Sequence, residues 1–116
     1  MTPTSNPAPK SVQLDDLPHS AEAHRFVGAD HGAPVSMIFV HAEPGSEPTL
    51  PHAHPYAEVW IVEEGEATFD FGDRQLVAGE GQIVIGPAHV KHRFSNTGSR
   101  RLRLISVHAA DNIVVE

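Results

Sequence analysis

From Val35 onward the chain is written in short apolar runs separated by Gly, Pro or Asn. The segments 35–42 (VSMIFVHA), 58–65 (EVWIVEEG) and 66–71 (EATFDF) read as strands, with a hairpin turn, GDR, after the last of them. Further strands are expected in 75–81, 82–87, 91–96 and 100–109, and a closing one in NIVVE, 112–116. Runs rich in Val, Ile and Phe that recur every 8 to 12 residues or so, punctuated by turn residues, are the signature of an all-β sandwich or barrel. Upstream, DDLPHSAEAHRF (15–26) predicts a short helical turn or a first strand, and no amphipathic helix of useful length appears. Residues 1–11, with three prolines among Thr, Ser, Asn and Ala, read as a flexible N-terminal arm. Residues 12–116 then form a single β domain.

Alternation assigns faces, because side chains two apart on a strand project to the same side. Trp60 and Val62 share the parity of Glu58. Leu102, Leu104, Ser106 and His108 form an inward face, with Arg101, Arg103, Ile105 and Val107 opposite. Ile105 and Val107, taken with Ile113, Val114 and Val115, suggest a packing surface and hence a homodimer.

Composition narrows the chemistry. With 116 residues the chain is one domain, and no apolar run is long enough to span a bilayer. The first residues lack the apolar segment of a secretory signal, so a cytoplasmic location is expected. A net charge of −7 argues against nucleic acid or an anionic membrane as partner. Cysteine is absent, so any metal must be held by His and carboxylates. Nine histidines stand against eight Lys and Arg; of these, His19, His24 and His31 lack ordered spacing and read as surface residues. HExxH, GxSxG, P-loop and GxGxxG signatures are missing, and Asp15–Asp16 and Glu63–Glu64, adjacent in sequence, would point apart.

PHAHPYAEVW, 51–60, carries the candidate chemistry. In extended chain His52 and His54 project side by side, about 6.6 Å apart at Cα, and Glu58 has the same parity. Two imidazoles and a carboxylate suit Fe, Mn, Ni, Co or Zn. GQIVIGPAHVKHRFSN, 81–96, offers His92 from a second strand as a fourth ligand. Lys91 and Arg93, of opposite parity to His92, should point away and are poor anchors for an anionic substrate.

Together these segments resemble the two motifs of the cupin superfamily. Gly45, His52, His54, Glu58 and Gly65 fill the first, with six rather than five residues before the first His; Gly81, Pro87, His92 and Asn96 fill the second, with His89 where the family usually has Gly. The resemblance covers residues 45–96 and implies a small single-domain, cupin-2-like protein with a jelly-roll β-barrel fold. It implies one divalent transition metal held by His52, His54, Glu58 and His92, with two positions of an octahedral ion open to water, O₂ or a bidentate small-molecule substrate. The implied activity is that of a metalloenzyme acting on a small polar organic molecule: an oxidoreductase of the dioxygenase type, or an isomerase or lyase. The rival reading is a non-catalytic barrel that senses a metal or small ligand. Tyr56, Trp60 and Phe94 are candidate pocket residues, and His108 is the weak catalytic candidate, an imidazole placed near the pocket behind the ligands or as a general base. His41 is a further, lesser one. His89, at a turn that favours positive φ, would alter the pocket rim.

Overall fold

The computed structural model describes residues 8–116; most of the expected N-terminal arm, residues 1–7, lies outside them. The fold is all-β. Eight strands run β1 (Ala23–Phe26), β2 (Ser36–Ala42), β3 (Glu58–Glu64), β4 (Glu66–Asp70), β5 (Gln75–Gly79), β6 (Ile83–Gly86), β7 (Arg93–Asn96) and β8 (Leu102–His108). They form a five-stranded sheet in the order β1-β2-β8-β3-β6 and a three-stranded sheet in the order β5-β4-β7. Every strand pair is antiparallel. The ambiguous segment 15–26 contains both expected elements, a 3-10 turn at Leu14–Asp16 and then β1.

The alternation read from the sequence holds where it matters. On β3, Glu58, Trp60 and Val62 are buried; on β8, so are Leu102, Leu104, Ser106 and His108. With Ala42, Ala67, Phe69, Ala78 and Val84, the apolar members form one core between the sheets. One end of that interior is filled with Leu, Val and Phe, the other with the polar residues of β3 and β8. The β3–β4 turn depends on Gly65, at φ +85°, where a Cβ would fall 2.5 Å from the Arg101 carbonyl oxygen.

Two expectations fail. NIVVE is not a strand: its recorded backbone bonds are isolated ones, to the Ala53 carbonyl and to side chains, so no ladder forms. Ile113 and Val115 line the interior cavity instead of joining the outer face of Ile105 and Val107. His92 also precedes its strand. It pairs with His52 in a single two-residue bridge, closed by backbone bonds of 2.9 and 3.1 Å, immediately before β7.

Candidate metal centre

The His52–His92 bridge sets the site. It clips the loop after β2 to the segment entering β7, and the His89 N–H to His54 C=O bond of 2.8 Å extends the clip. The rings of His52 and His92 come to 4.6 Å, and those of His52 and His54 to 4.9 Å. Glu58, first residue of β3, supplies the carboxylate from the opposite sheet. One ligand-type atom from each of His52, His54, Glu58 and His92 lies within 4.8 Å of all the others. Glu58 Oε1 is 2.9 Å from His54 Nε2 and 3.1 Å from His92 Nε2.

The residues present fit a divalent cation. His54 Nε2, His92 Nε2 and Glu58 Oε1 are buried without a well-formed hydrogen bond, and buried polar atoms left in that state cost free energy unless something pairs with them. Two of the three far nitrogens are committed elsewhere, that of His92 having no partner: His52 Nδ1–H donates to the Leu50 carbonyl at 2.7 Å, and His54 Nδ1–H donates to the Val114 carbonyl. Those bonds fix the tautomer that presents an unprotonated Nε2 to the centre, as the outer partners of metal-binding histidines do. Hence the group could hold a metal ion.

Behind the four sits His108, 1% exposed, with Nε2 3.5 Å from Glu58 Oε2 and 3.2 Å from Ser106 Oγ. Tyr56 is stacked on His54 at 5.1 Å, and its hydroxyl donates to His108 Nδ1 at 2.7 Å while accepting from the Val114 N–H at 3.2 Å. Burial, opposed in part by the Glu58 charge, pushes the His108 imidazole down to about 4. Desolvation works to raise the Glu58 carboxyl, but the close approach of His92 and the positive charge that the surrounding histidines carry when protonated outweigh it and hold Glu58 low. Burial raises the Tyr56 phenol, offset in part by the Val114 N–H, so Tyr56 keeps its proton for His108.

Acid lability follows with a definite sign. Between about 4 and the ordinary 6.5 of histidine, unfolded chains carry a proton on residue 108 that the metal-free fold refuses. The unfolded state therefore binds more protons in that window, and stability falls as pH drops through it, by on the order of 3 kcal/mol from this group. Urea midpoints of the metal-free protein at pH 7 and pH 4.5 measure the loss, and His108→Gln should flatten the slope.

A cavity of about 570 Å³ opens from this centre along the inside of the large sheet. Trp60 and Phe94 are among its lining residues, although Trp60 is equally a core residue, fully buried and edge-on to His92 at 4.8 Å. Tyr56 is not among the lining residues; its ring lies behind His54. His41 projects from the other face of β2, beside His24 at 5.5 Å, and takes no part in the site. His24 is not the surface residue expected: its side chain is 13% exposed, stacked between His19 and His41. His31 is half-buried against Phe26. Lys91 and Arg93 point outward, Arg93 towards Asp70 at 3.7 Å. His89 adopts φ 67° and its Nδ1–H donates to the Glu116 carboxylate at 2.9 Å, so the histidine in the glycine position anchors the C-terminal segment at the rim. Sequence reasoning missed two features. One is the Val114 carbonyl, a backbone atom with no residue-type signal. The other is Arg25, whose parity on β1 could have placed it in the cavity.

Comparison with known proteins agrees with this fold. Over 80 residues the chain is 35% identical to the xanthan biosynthesis protein XanB of Xanthomonas campestris pv. campestris, matching 69% of this chain but spanning only 17% of that much longer protein. It is 31% identical over 100 residues to protein SchB of Streptomyces halstedii, covering 81% of this chain and 72% of SchB. Among solved structures, Bacillus subtilis oxalate decarboxylase, described with Mn(II) centres, superposes with a TM-score of 0.75 at 20% identity, over 89% of this chain and 30% of that one, a likeness of fold alone. Residues 38–108, which contain all four candidate ligands, match the Cupin_2 family of cupin domains, and the chain belongs to that family.

Proposed function

We propose that this cupin binds one divalent transition metal through His52, His54, Glu58 and His92 and acts as a metalloenzyme on a small organic molecule that chelates the ion. The observation that carries the reading is the convergence of three buried atoms that make no well-formed hydrogen bond, His54 Nε2, His92 Nε2 and Glu58 Oε1, where Leu50 and Val114 already hold the outer nitrogens of His52 and His54. The donor set of imidazoles and one carboxylate suits Mn, Fe, Co, Ni or Zn. When bound, such an ion supplies Lewis acidity, and if redox-active a binding place for O₂.

The chain's own residues do the rest. Trp60, Phe94, Ile38 and Val40 give the cavity apolar walls that exclude water from a bound molecule. His108, neutral and bearing its proton on Nε2 because Tyr56 donates to Nδ1, points that proton at Glu58 and Ser106. It is placed to hold the carboxylate in one orientation and to exchange a proton with the cavity. The XanB and oxalate decarboxylase likenesses leave open whether the reaction is of dioxygenase, isomerase or lyase type; oxygen uptake with substrate would mark the first. A barrel that binds a ligand without turning it over is the outcome if a metal-loaded protein binds chelators and never releases a changed product.

Elemental analysis of protein purified without chelators or a metal-affinity tag tests the reading. About one equivalent of a transition metal, lost in His54→Ala, is expected. No metal in the native protein, and none taken up on reconstitution, sinks it. The outer sheet face carries Val59, Ile61, Ile83, Ile85, Ile105 and Val107, with Ile83 and Ile85 more than 60% exposed. That apolar strip fits a second copy of the chain, giving a homodimer; sedimentation that stays monomeric at high micromolar concentration would rule it out.

A further inference from the structure

We propose that Arg25 sets the substrate class of the cavity: an amphipathic acid that chelates the metal at one end and presents a single carboxylate to Arg25 at the other. The inference rests on the metal-dependent reading above. Three observations carry it. Arg25 lines the cavity, on the same parity of β1 as Ala23, and among the described residues no other Lys or Arg does so. Among the described residues, Arg74, Arg93, Arg100, Arg101 and Arg103 each pair with a carboxylate, and Arg25 does not. The backbone of this exposed residue is placed relative to that of Glu58 by sheet register.

Arg25 pairs with Ile38, Ile38 with Ser106, and Ser106 with Trp60, in one row across β1, β2, β8 and β3. Glu58 and His108 sit in the neighbouring row, two residues along. Three strand spacings separate the backbone of Arg25 from that of β3, roughly 14 Å. The long arginine side chain and the Glu58 side chain shorten that gap from both ends. The remaining floor is Ile38 and Val40, with Phe94, Ile113 and Val115 above and around it. A molecule filling the cavity from the metal to the mouth therefore meets metal, then aliphatic and aromatic surface, then one guanidinium. Guanidinium groups bind carboxylates through paired charge-assisted hydrogen bonds.

Glu22 and Glu47 also reach the mouth, neither within ion-pairing distance of Arg25. Their negative charges disfavour a dianionic end such as a phosphate monoester and leave room for one negative charge at the arginine. This reading separates the substrate from compact polar acids that would sit at the ion alone.

The test compares two acids of equal chain length on the Mn(II)-loaded protein: 2-oxoadipate, with a distal carboxylate, and 2-oxohexanoate, with a methyl in its place. Both carry the same chelating head. Titration calorimetry, with metal content measured on the same samples, should show 2-oxoadipate binding tenfold or more tightly, the effect of one charge-assisted contact. Arg25→Met should abolish the preference while leaving metal content and 2-oxohexanoate affinity unchanged. Equal affinity for the two acids in the native protein overturns the inference, as does a preference that survives in Arg25→Met, or no binding of either acid to fully loaded protein. A native protein that takes up no Mn(II) instead overturns the metal-dependent reading and this inference with it.

Discussion

Replacing Glu58 by Gln should erase the metal-dependent part of this protein's thermal stability. Glu58 Oε1 stands 2.9 Å from His54 Nε2 and 3.1 Å from His92 Nε2, at the focus of the candidate ligands, in a residue 4% exposed. The amide keeps the shape of the carboxylate and removes its charge, which is what offsets a dication in a poorly hydrated setting. A metal that binds only the folded chain stabilises it in proportion to the logarithm of its concentration over its dissociation constant, about 4 kcal/mol at a thousandfold excess. For a domain of this size that corresponds to a rise in Tm of about 15 °C or more. Native protein should show this rise between chelator-treated and metal-supplemented samples. Glu58→Gln should show almost none, and Glu63→Gln, at an exposed position on the same strand, should keep it. A full shift in Glu58→Gln would mean that the ion sits elsewhere.

Truncation after Ile113 should weaken metal binding 10- to 100-fold without touching a ligand. The reason is the Val114 backbone, which works in both directions: its carbonyl accepts from His54 Nδ1–H, and its N–H donates to the Tyr56 hydroxyl that in turn orients His108. The Glu116 N–H to Ala53 C=O bond at 2.8 Å and the His89–Glu116 contact keep the segment in place. Without it, His54 loses the acceptor that selects its tautomer, and outer partners of this kind typically matter by one to two orders of magnitude. Competition against a chelator of known affinity measures the change. Glu116→Gln, which keeps the backbone contacts, should cost far less than the truncation. Native-like affinity in the truncated chain would show that stacking on Tyr56 alone orients His54.

The strands around the site were readable because β3 and β8 obey a period of two and bury one face each; Glu58 and His108 shared parity with buried apolar neighbours and went inside with them. The four candidate ligands were readable because two segments, each a weak signal by its spacing alone, stand in the order of the two cupin motifs with His52, His54, Glu58 and His92 in place. Less legible were contacts that depend on long-range placement. Ile113 and Val115 are apolar and β-branched, as a strand residue would be, yet the segment is held by single bonds to His54, Tyr56 and Ala53, which no periodicity encodes. Tyr56 reads as a pocket residue by its place in the motif, but it stacks on His54 with its hydroxyl turned to His108. His24 and His41 lie in different segments and meet only because β1 and β2 pair; the buried Nδ1 of the first and Nε2 of the second lack a partner. Arg25 was less legible because β1 is only four residues long and its alternation is shallow, with no fully buried residue to mark an inner face.

The most direct test of the metal centre is a crystal structure of the Mn(II)-loaded protein with anomalous data collected above the manganese edge. One strong anomalous peak is expected among His52 Nε2, His54 Nε2, His92 Nε2 and Glu58 Oε1, at bonding distance from all four. A peak bonded to His24 or His41 and none at Glu58, or an ordered Glu58 hydrogen-bonded to the histidines with no peak at all, would contradict it.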